Sequence, residues 1–411
     1  MTLLPSRDRT ILRGLAAEIA ELAARPIETE KRRLWYDHNA LKPTRPLVFC
    51  DPENGWHEII RGEDLQCVSD EARGCEWQLR REIFWGRSMC DDRVIEPFWN
   101  VGHVASQTDW GLSPRRIGGE NGGSFVWDAP IKSYDQLHEL RFPTVTVDWK
   151  ATNEKLEQAN ELFCGILPVR LKNGWHWTTG LTSTLANLRG LEQLMVDMLD
   201  EPDNLHRLMA ILRDGTIARL ESLEQNGLLT LNNDGSYVGS GGFGWTRELP
   251  ADGFDGHVRL RDLWCLSESQ ETVGVSPGMF AEFVLPYQLP IINLYGLSCY
   301  GCCEALDLRW KYIKEIPNLR RVSVSPWSDR AVMADNLQDK YVYSMKPNPA
   351  DLAMDAFPEE RIRETLRHDL EVTRGCHIEV IMKDCHTIGN DPSRAVRWTQ
   401  IARGEAERLA G

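Results

Sequence analysis

"LSCYGCCEALDLRWKYIKEIPNLRRVSVSPWSDRAVMADNLQDKYVYSMKP", Leu297 to Pro347, is the stretch whose reading decides the fold. Three short strand-like runs, LSCYGC, LRRVSVS and YVYSMKP, alternate in it with two runs of helical spacing, ALDLRWKYIKEI and DRAVMADNL. The alternation continues to the end of the chain: PEERIRETLRHDLEVTRG is helical, HIEVIMKDC a strand and DPSRAVRWTQIARGEAERLA a closing helix. Strands separated by single amphipathic helices pair in parallel, because each helix carries the chain back across the sheet.

Working outward, further strands are expected at RPLVFC, GILPVRL, LLTLNND and LWCLS. Starts near residues 46, 166, 228, 263, 297, 320, 341 and 378 make eight strands, and eight parallel strands with helices between them predict a closed (β/α)8 barrel, the TIM barrel. An open doubly wound sheet is the alternative, and no G-x-G-x-x-G follows the first strand to favour it. Ahead of the barrel, Ile11, Leu12, Leu15, Ile19 and Leu22 give an N-terminal helical segment, residues 1–45. Residues 46–411 form the barrel domain, with 55–150, rich in Trp, Gly and charge, as a long insertion after the first strand. A helix pair broken at Pro202 follows the second strand, and Ser276 with Pro277 reads as a helix start.

Composition narrows the function. The chain has 411 residues, 42% of them hydrophobic, and the first 35 carry Arg, Asp and Glu throughout, so neither a signal peptide nor a membrane span is expected and the location is taken as cytoplasmic. A net charge of -14 argues against a nucleic-acid partner. Eleven cysteines, an odd number, do not suit a disulfide framework. Fifteen tryptophans exceed what a core needs, and some are expected to line a pocket for an aromatic or cationic ligand.

In a barrel the site lies where the strands end at their C-termini. Strand two ends in Lys172, Asn173, Trp175, His176 and Trp177, strand three in Asn232, Asn233, Asp234 and Tyr237, strand four at Glu268, strand seven at Lys346. Cys299 falls inside strand five, whereas Cys302 and Cys303 lie past its end and Cys385 and His386 past the end of strand eight. Thiols and an imidazole around one cavity suit zinc, with Glu268, Glu304 or His386 completing a tetrahedron. Buried thiols and a redox pair are the other readings. Asp234, Lys346 and His176 are either catalytic groups or a turn former, a solvated lysine and a wall histidine.

Three passages carry a family likeness. NLRGLEQLMVDMLDEPDNLHRLM (187–209), VSPGMFAEFVLPY (275–287) and CHTIGNDPSRAVRW (385–398) resemble segments of the uroporphyrinogen decarboxylase superfamily, over roughly residues 150–411. The methyltransferase branch of that superfamily is zinc-dependent and works with corrinoid proteins. Its zinc ligands are a His-x-Cys pair after strand five and a Cys after strand eight, which correspond here to Tyr300, Cys302 and Cys385. Tyrosine thus stands where the family has histidine, and Cys303, Glu304 or Glu268 is left to fill the place. DPENGWHE after the first strand lacks the arginines of the true decarboxylases.

The resemblance implies a zinc-dependent methyltransferase that moves a methyl group between a small methylated substrate or thiol and a corrinoid (cobalamin) on a partner protein. Asp234, Glu268, Lys346 and His176 are its expected catalytic residues. Trp175, Trp177, Asn233, Tyr237 and Tyr300 are expected to bind substrate, and Cys302, Cys303, Cys385 and Glu268 the metal. The alternatives are a metal-independent decarboxylase or lyase of a carboxylated substrate on the same barrel, or a non-catalytic corrinoid- or tetrapyrrole-binding protein. A homodimer is left open.

Overall fold

The computed structural model describes residues 4–118 and 125–411; residues 1–3 of the N-terminal segment and 119–124 of the expected insertion lie outside them. Eight parallel strands are β1 (Leu47–Cys50), β2 (Trp99–Val101), β3 (Val169–Leu171), β4 (Trp264–Ser267), β5 (Leu297–Tyr300), β6 (Leu319–Val324), β7 (Val342–Met345) and β8 (His377–Met382). Six of them form one sheet in the order β4-β5-β6-β7-β8-β1, and β2 pairs with β3 separately. Every neighbouring pair in the large sheet is parallel. The protein is therefore a mixed α/β fold with helices alternating with strands, as the 297–411 reading required.

Two differences from the expected strand list have local causes. Residues 228–234 do not form a strand; the link to β4 runs through a side chain, Asn232, whose amide donates to the Trp264 carbonyl (3.0 Å) and whose oxygen accepts from the Trp264 N–H (3.0 Å). Thr230 is tied through its hydroxyl to Asn173, just past β3. The missing strand is balanced by β2, inside the stretch read as an insertion; FWNV between Pro97 and Gly102 is too short to show a period. The helix pair after β3 is three helices, Thr182–Arg189, Leu191–Asp200 and Pro202–Gln225, with the break at Pro202 as expected and another at Gly190, whose φ of +94 favours glycine. Ser276 caps Pro277–Phe283 by accepting from the Met279 N–H.

Strand alternation sorts residues onto two faces. Tyr300, Val322, Tyr343, Met345, Val380 and Met382 belong to the large core shared with the helices. The other face carries a small apolar cluster, Val238, Leu249, Trp264, Leu266, Leu297 and Cys299, and beside it a buried ionic network. There the Arg321 guanidinium lies 3.0 Å from the Glu379 carboxylate, both almost fully buried, and donates to Asn39 (2.6 Å). Glu379 also meets His38 (3.3 Å) and accepts from Ser344 (2.5 Å). His38 and Asn39 close the helix Pro26–Asn39, so the N-terminal segment reaches the inner face of the sheet.

The glycine-rich loop after residue 234 lies on the same inner face. Its hairpin, Tyr237–Val238 against Gly242–Phe243, runs so close that a Cβ at Gly242 would meet the Arg321 guanidinium. A Cβ at Gly239 would meet Cys299. Glycine is what lets this segment approach the sheet's polar centre.

Candidate active site

Four of the chemistry-bearing residues follow strand ends directly. Glu268 comes one residue after β4, Cys302 two after β5, Lys346 one after β7 and Lys383 one after β8. The turn that presents Cys302 is fixed on both sides. Gly301 takes φ +91 and its N–H donates to the Ser267 carbonyl (2.9 Å), while a Cβ there would strike Leu306. The Cys302 N–H donates to Glu304 (2.9 Å) and its carbonyl accepts from Ser323 (2.9 Å). Glu304 is buried, and its other oxygen accepts from the Ser269 N–H (2.7 Å), so it clamps the turn after β5 to the loop after β4.

The Cys302 sulfur has three polar neighbours: Cys303 Sγ at 3.4 Å, Ser240 Oγ at 3.4 Å and Lys383 Nζ at 3.9 Å. Lys383 also reaches Ser240 (3.2 Å) and Asp384 (3.1 Å). The hydrogen bond from Cys303 outweighs burial and, helped by Lys383 and Ser240, holds the Cys302 thiol down at about 7. The same bond pushes Cys303 far up. The shared hydrogen bond favours the thiolate on Cys302, and Cys303 also lies 3.5 Å from Asp384 Oδ2. Cys302 is buried and Cys303 exposed.

Glu268 has no solvent exposure at all, and burial, with Glu271 and Glu304 nearby, pushes its carboxyl up to about 9. It is a neutral acid at neutral pH. Its partners are the Gln270 N–H (3.0 Å) and the Thr178 hydroxyl (3.4 Å), and Gly180 packs so closely that a Cβ there would strike the carboxyl. Burial lowers Lys346 to about 7; its amine donates to Ser344, which joins it to the Glu379 network.

Next to this cluster is a cavity of about 400 Å³ walled by Trp175, His176, Trp177, Tyr237, Trp264 and Tyr295. Lys383 lies 5.8 Å from the Trp177 ring centroid, which joins the cavity to the thiol cluster. Burial, with Arg219 near, drives His176 down to about 3, so the ring is neutral; it meets the Tyr295 hydroxyl at 3.0 Å. A larger cavity of about 700 Å³ lies at the helices Ser6–Ala23, Asp70–Phe84 and Trp149–Phe163, away from this cluster.

The remaining expected residues are placed otherwise. Asp234 is locked by Lys172 (2.5 Å) and Arg170 (3.3 Å), which, against burial, keep it below the usual carboxylate range. No free carboxylate oxygen is left for a substrate amine. The Asn233 amide is spent on the Leu249 carbonyl (2.6 Å), and Trp175 donates to Leu228 (2.9 Å) while its ring stays in the cavity wall. Tyr300 points away into the outer core, its hydroxyl donating to Gln288 (2.7 Å), which in turn donates to the Glu268 carbonyl (2.7 Å). Cys385 is buried in the large core near Cys50, and its thiol is raised by burial. His386 is exposed.

The expected zinc ligands are only partly gathered. Cys302 and Cys303 supply two sulfurs, but among the described residues no three His, Cys, Asp or Glu side chains converge as a metal-holding group. The third side of Cys302 faces an ammonium. As they stand, these side chains do not fit a tetrahedral zinc ion.

Sequence reasoning passed over Lys383 and Ser240, two of the three residues that stabilise the Cys302 thiolate. Lys383 follows the last residue of β8 directly, and Ser240 is the hydroxyl in a loop otherwise valued for glycine. DCHTIG, Asp384 to Gly389, also has the D-x-H-x-x-G spacing of cobalamin-binding loops, with its histidine exposed. No family model matches the chain, and no curated protein matches it. No helix among the described residues is long and apolar enough to cross a membrane.

Proposed function

We propose that the chain is a methyltransferase on a closed (β/α)8 barrel, of the kind found in the corrinoid-dependent branch of the uroporphyrinogen decarboxylase superfamily. Curvature supports the barrel. Cys302 and Lys383 follow β5 and β8, three strand spacings apart, roughly 14 Å across a flat sheet at about 4.8 Å per strand, yet their side chains meet at 3.9 Å. Past the β4 edge, Asn232 and Thr230 carry hydrogen bonding on toward β3.

The observation that supports the reaction is the fully buried Glu268, its carboxyl raised by burial. It does not itself line the aromatic cavity but lies two residues past Leu266 of the cavity wall and meets Thr178, the neighbour of Trp177. When a methyl group leaves oxygen, nitrogen or sulfur, the heteroatom must gain a proton, and an acid with a raised pKa gives one at neutral pH. Glu268 delivers it through the Thr178 hydroxyl, next in sequence to the cavity residue Trp177. Trp175, Trp177 and Tyr237 hold the donor, and the neutral His176 accepts or donates a hydrogen bond without adding charge. A corrinoid brought by a partner protein would supply the nucleophile for the methyl carbon. No step here is routed through zinc, for which Cys302 and Cys303 offer two sulfurs beside an ammonium.

Incubation of the protein with methylated ethers, amines and thioethers and free cob(I)alamin tests this reading. It expects the methylcobalamin spectrum with at least one aromatic donor. No spectral change with any of them, the fold being intact, overturns it. The decarboxylase reading draws on Lys346, whose buried amine donates, among the described residues, to Ser344 and would pair with a substrate carboxylate. Replacing Lys346 with Met separates the two, since a decarboxylase needs the amine to hold the substrate carboxylate and the methyl transfer described here does not use it.

A further inference from the structure

We infer that Cys302 and Cys303 form a reversible oxidation site, closing to a vicinal disulfide when a peroxide reaches the exposed face of the pair. This goes beyond the proposed methyl transfer and does not depend on it. The two sulfurs are already 3.4 Å apart, so bond formation needs a closure of little more than an ångström toward the S–S length of about 2.0 Å. Cys303 is exposed and gives an oxidant its way in, while Cys302 behind it is held by Ser240 and Lys383. Nine other cysteines are free in the chain, of which Cys90 and Cys164 are exposed without such partners.

The chemistry balances with a hydroperoxide as oxidant. The Cys302 sulfur attacks one peroxide oxygen, the O–O bond breaks, and the departing hydroxide takes a proton from the Lys383 ammonium, which recovers it from solvent. Cys302 is then a sulfenic acid. The Cys303 sulfur attacks it, the S–O bond breaks, and the hydroxide leaves as water with the Cys303 proton. Two electrons pass from the two sulfurs to the peroxide, giving one disulfide and water.

Bridging adjacent residues strains the bond. Neighbouring Cα atoms are 3.8 Å apart across a trans peptide, below the range that unstrained disulfides span, and strain makes a disulfide easier to reduce. The bridge therefore suits a switch more than a staple. Closing it removes the thiolate beside Lys383 and leaves that ammonium to Ser240 and Asp384.

The test uses the whole reduced chain, exposed to hydrogen peroxide, quenched with an alkylating agent and read by peptide mass spectrometry. The expected result is loss of two hydrogens from the peptide holding Cys302 and Cys303, at a rate roughly ten times that of oxidation at Cys90 or Cys164, with both thiols recovered by dithiothreitol. In Cys303→Ser, a substitution at an exposed position, the same treatment should leave a sulfenic acid on Cys302 that dimedone traps. Alkylation of both thiols as fast after peroxide as before, or oxidation of the pair no faster than at Cys90, overturns the inference. So does conversion of either sulfur directly to sulfinic acid without a disulfide.

Discussion

Two polar clusters are built from the same strands and behave in opposite ways. The Arg321–Glu379–His38 network on the inner face is closed: Arg321 meets Glu379 and Asn39, and Glu379 meets Arg321, His38 and Ser344. Its carboxylate is held far below the ordinary range by Arg321 and His38, against burial. The cluster at the strand ends is open. Glu268 has no cationic partner, and Cys302 shares one ammonium with Ser240 and Asp384. Charges that find all their partners inside the chain maintain a fold, and those left without one keep perturbed pKa values that a reaction can use.

The comparison breaks first if the closed network is not structural. Arg321→Met leaves Glu379 buried without its main counter-charge, and the expected cost is about 3–5 kcal/mol in chemical unfolding. Arg321→Met with Glu379→Leu should recover much of it, because no charge is then stranded. A single-variant loss below about 1 kcal/mol would mean that His38 and Lys346 suffice to hold Glu379.

Glu268→Gln is the matching test of the open cluster. Glutamine has the shape of the protonated acid, so at about pH 4.5, before wild type must take up a proton to fold, unfolding should change by less than about 1 kcal/mol, while at neutral pH methyl transfer falls roughly 100-fold or more for want of the proton. Equal losses of stability and rate would put Glu268 with the structural residues.

How far this division could be read from the sequence depends on the element. The strands from β5 to β8 were legible because each is apolar and bounded by a helix of clear period. Their ends gave Cys302 and Lys346, and the end of β4 gave Glu268, without any contact being known. The closed network was legible in principle, since LRRVSVS and HIEVIM each set a charge amid residues that must be buried. What the sequence could not tell was which charge met which, because Arg321 and Glu379 are 58 positions apart. Asp234 shows the reverse failure: its place after a buried stretch suggested substrate binding, but Lys172, also read as a rim residue, closes on it. Lys383 was hidden for a similar reason, as only the curvature of the sheet brings it to Cys302. The segment 228–234 has the composition of a strand but pairs through Asn232, a choice that burial patterns do not record.

The pH dependence of stability sharpens the contrast by sign. Folded Glu268 keeps its proton to about 9, whereas the unfolded chain gives it up near the ordinary 4.5. Between those values the folded state binds more protons, so its stability falls as pH rises. Glu379 acts in the opposite direction and at lower pH: its contribution is complete above 4.5 and is lost as acid protonates it. Between about pH 6 and pH 8 the protein should therefore lose about 2.7 kcal/mol relative to Glu268→Gln. Urea unfolding of both at the two pH values measures it, and parallel curves would show that Glu268 is ionised in the folded chain.

The smallest effect concerns Lys383. Its ammonium is one of three groups that favour the Cys302 thiolate, and it ranks after the Cys303 hydrogen bond among the causes that lower the thiol. Lys383→Met should leave the pair in place and raise the pH midpoint of Cys302 alkylation from about 7 by roughly one unit. Tandem mass spectrometry of the alkylated peptide distinguishes Cys302 from its exposed neighbour. An unchanged midpoint would assign the thiolate to Cys303 and Ser240 alone, and Lys383 would then belong with the closed charges, its role being to hold Asp384 at the turn after β8.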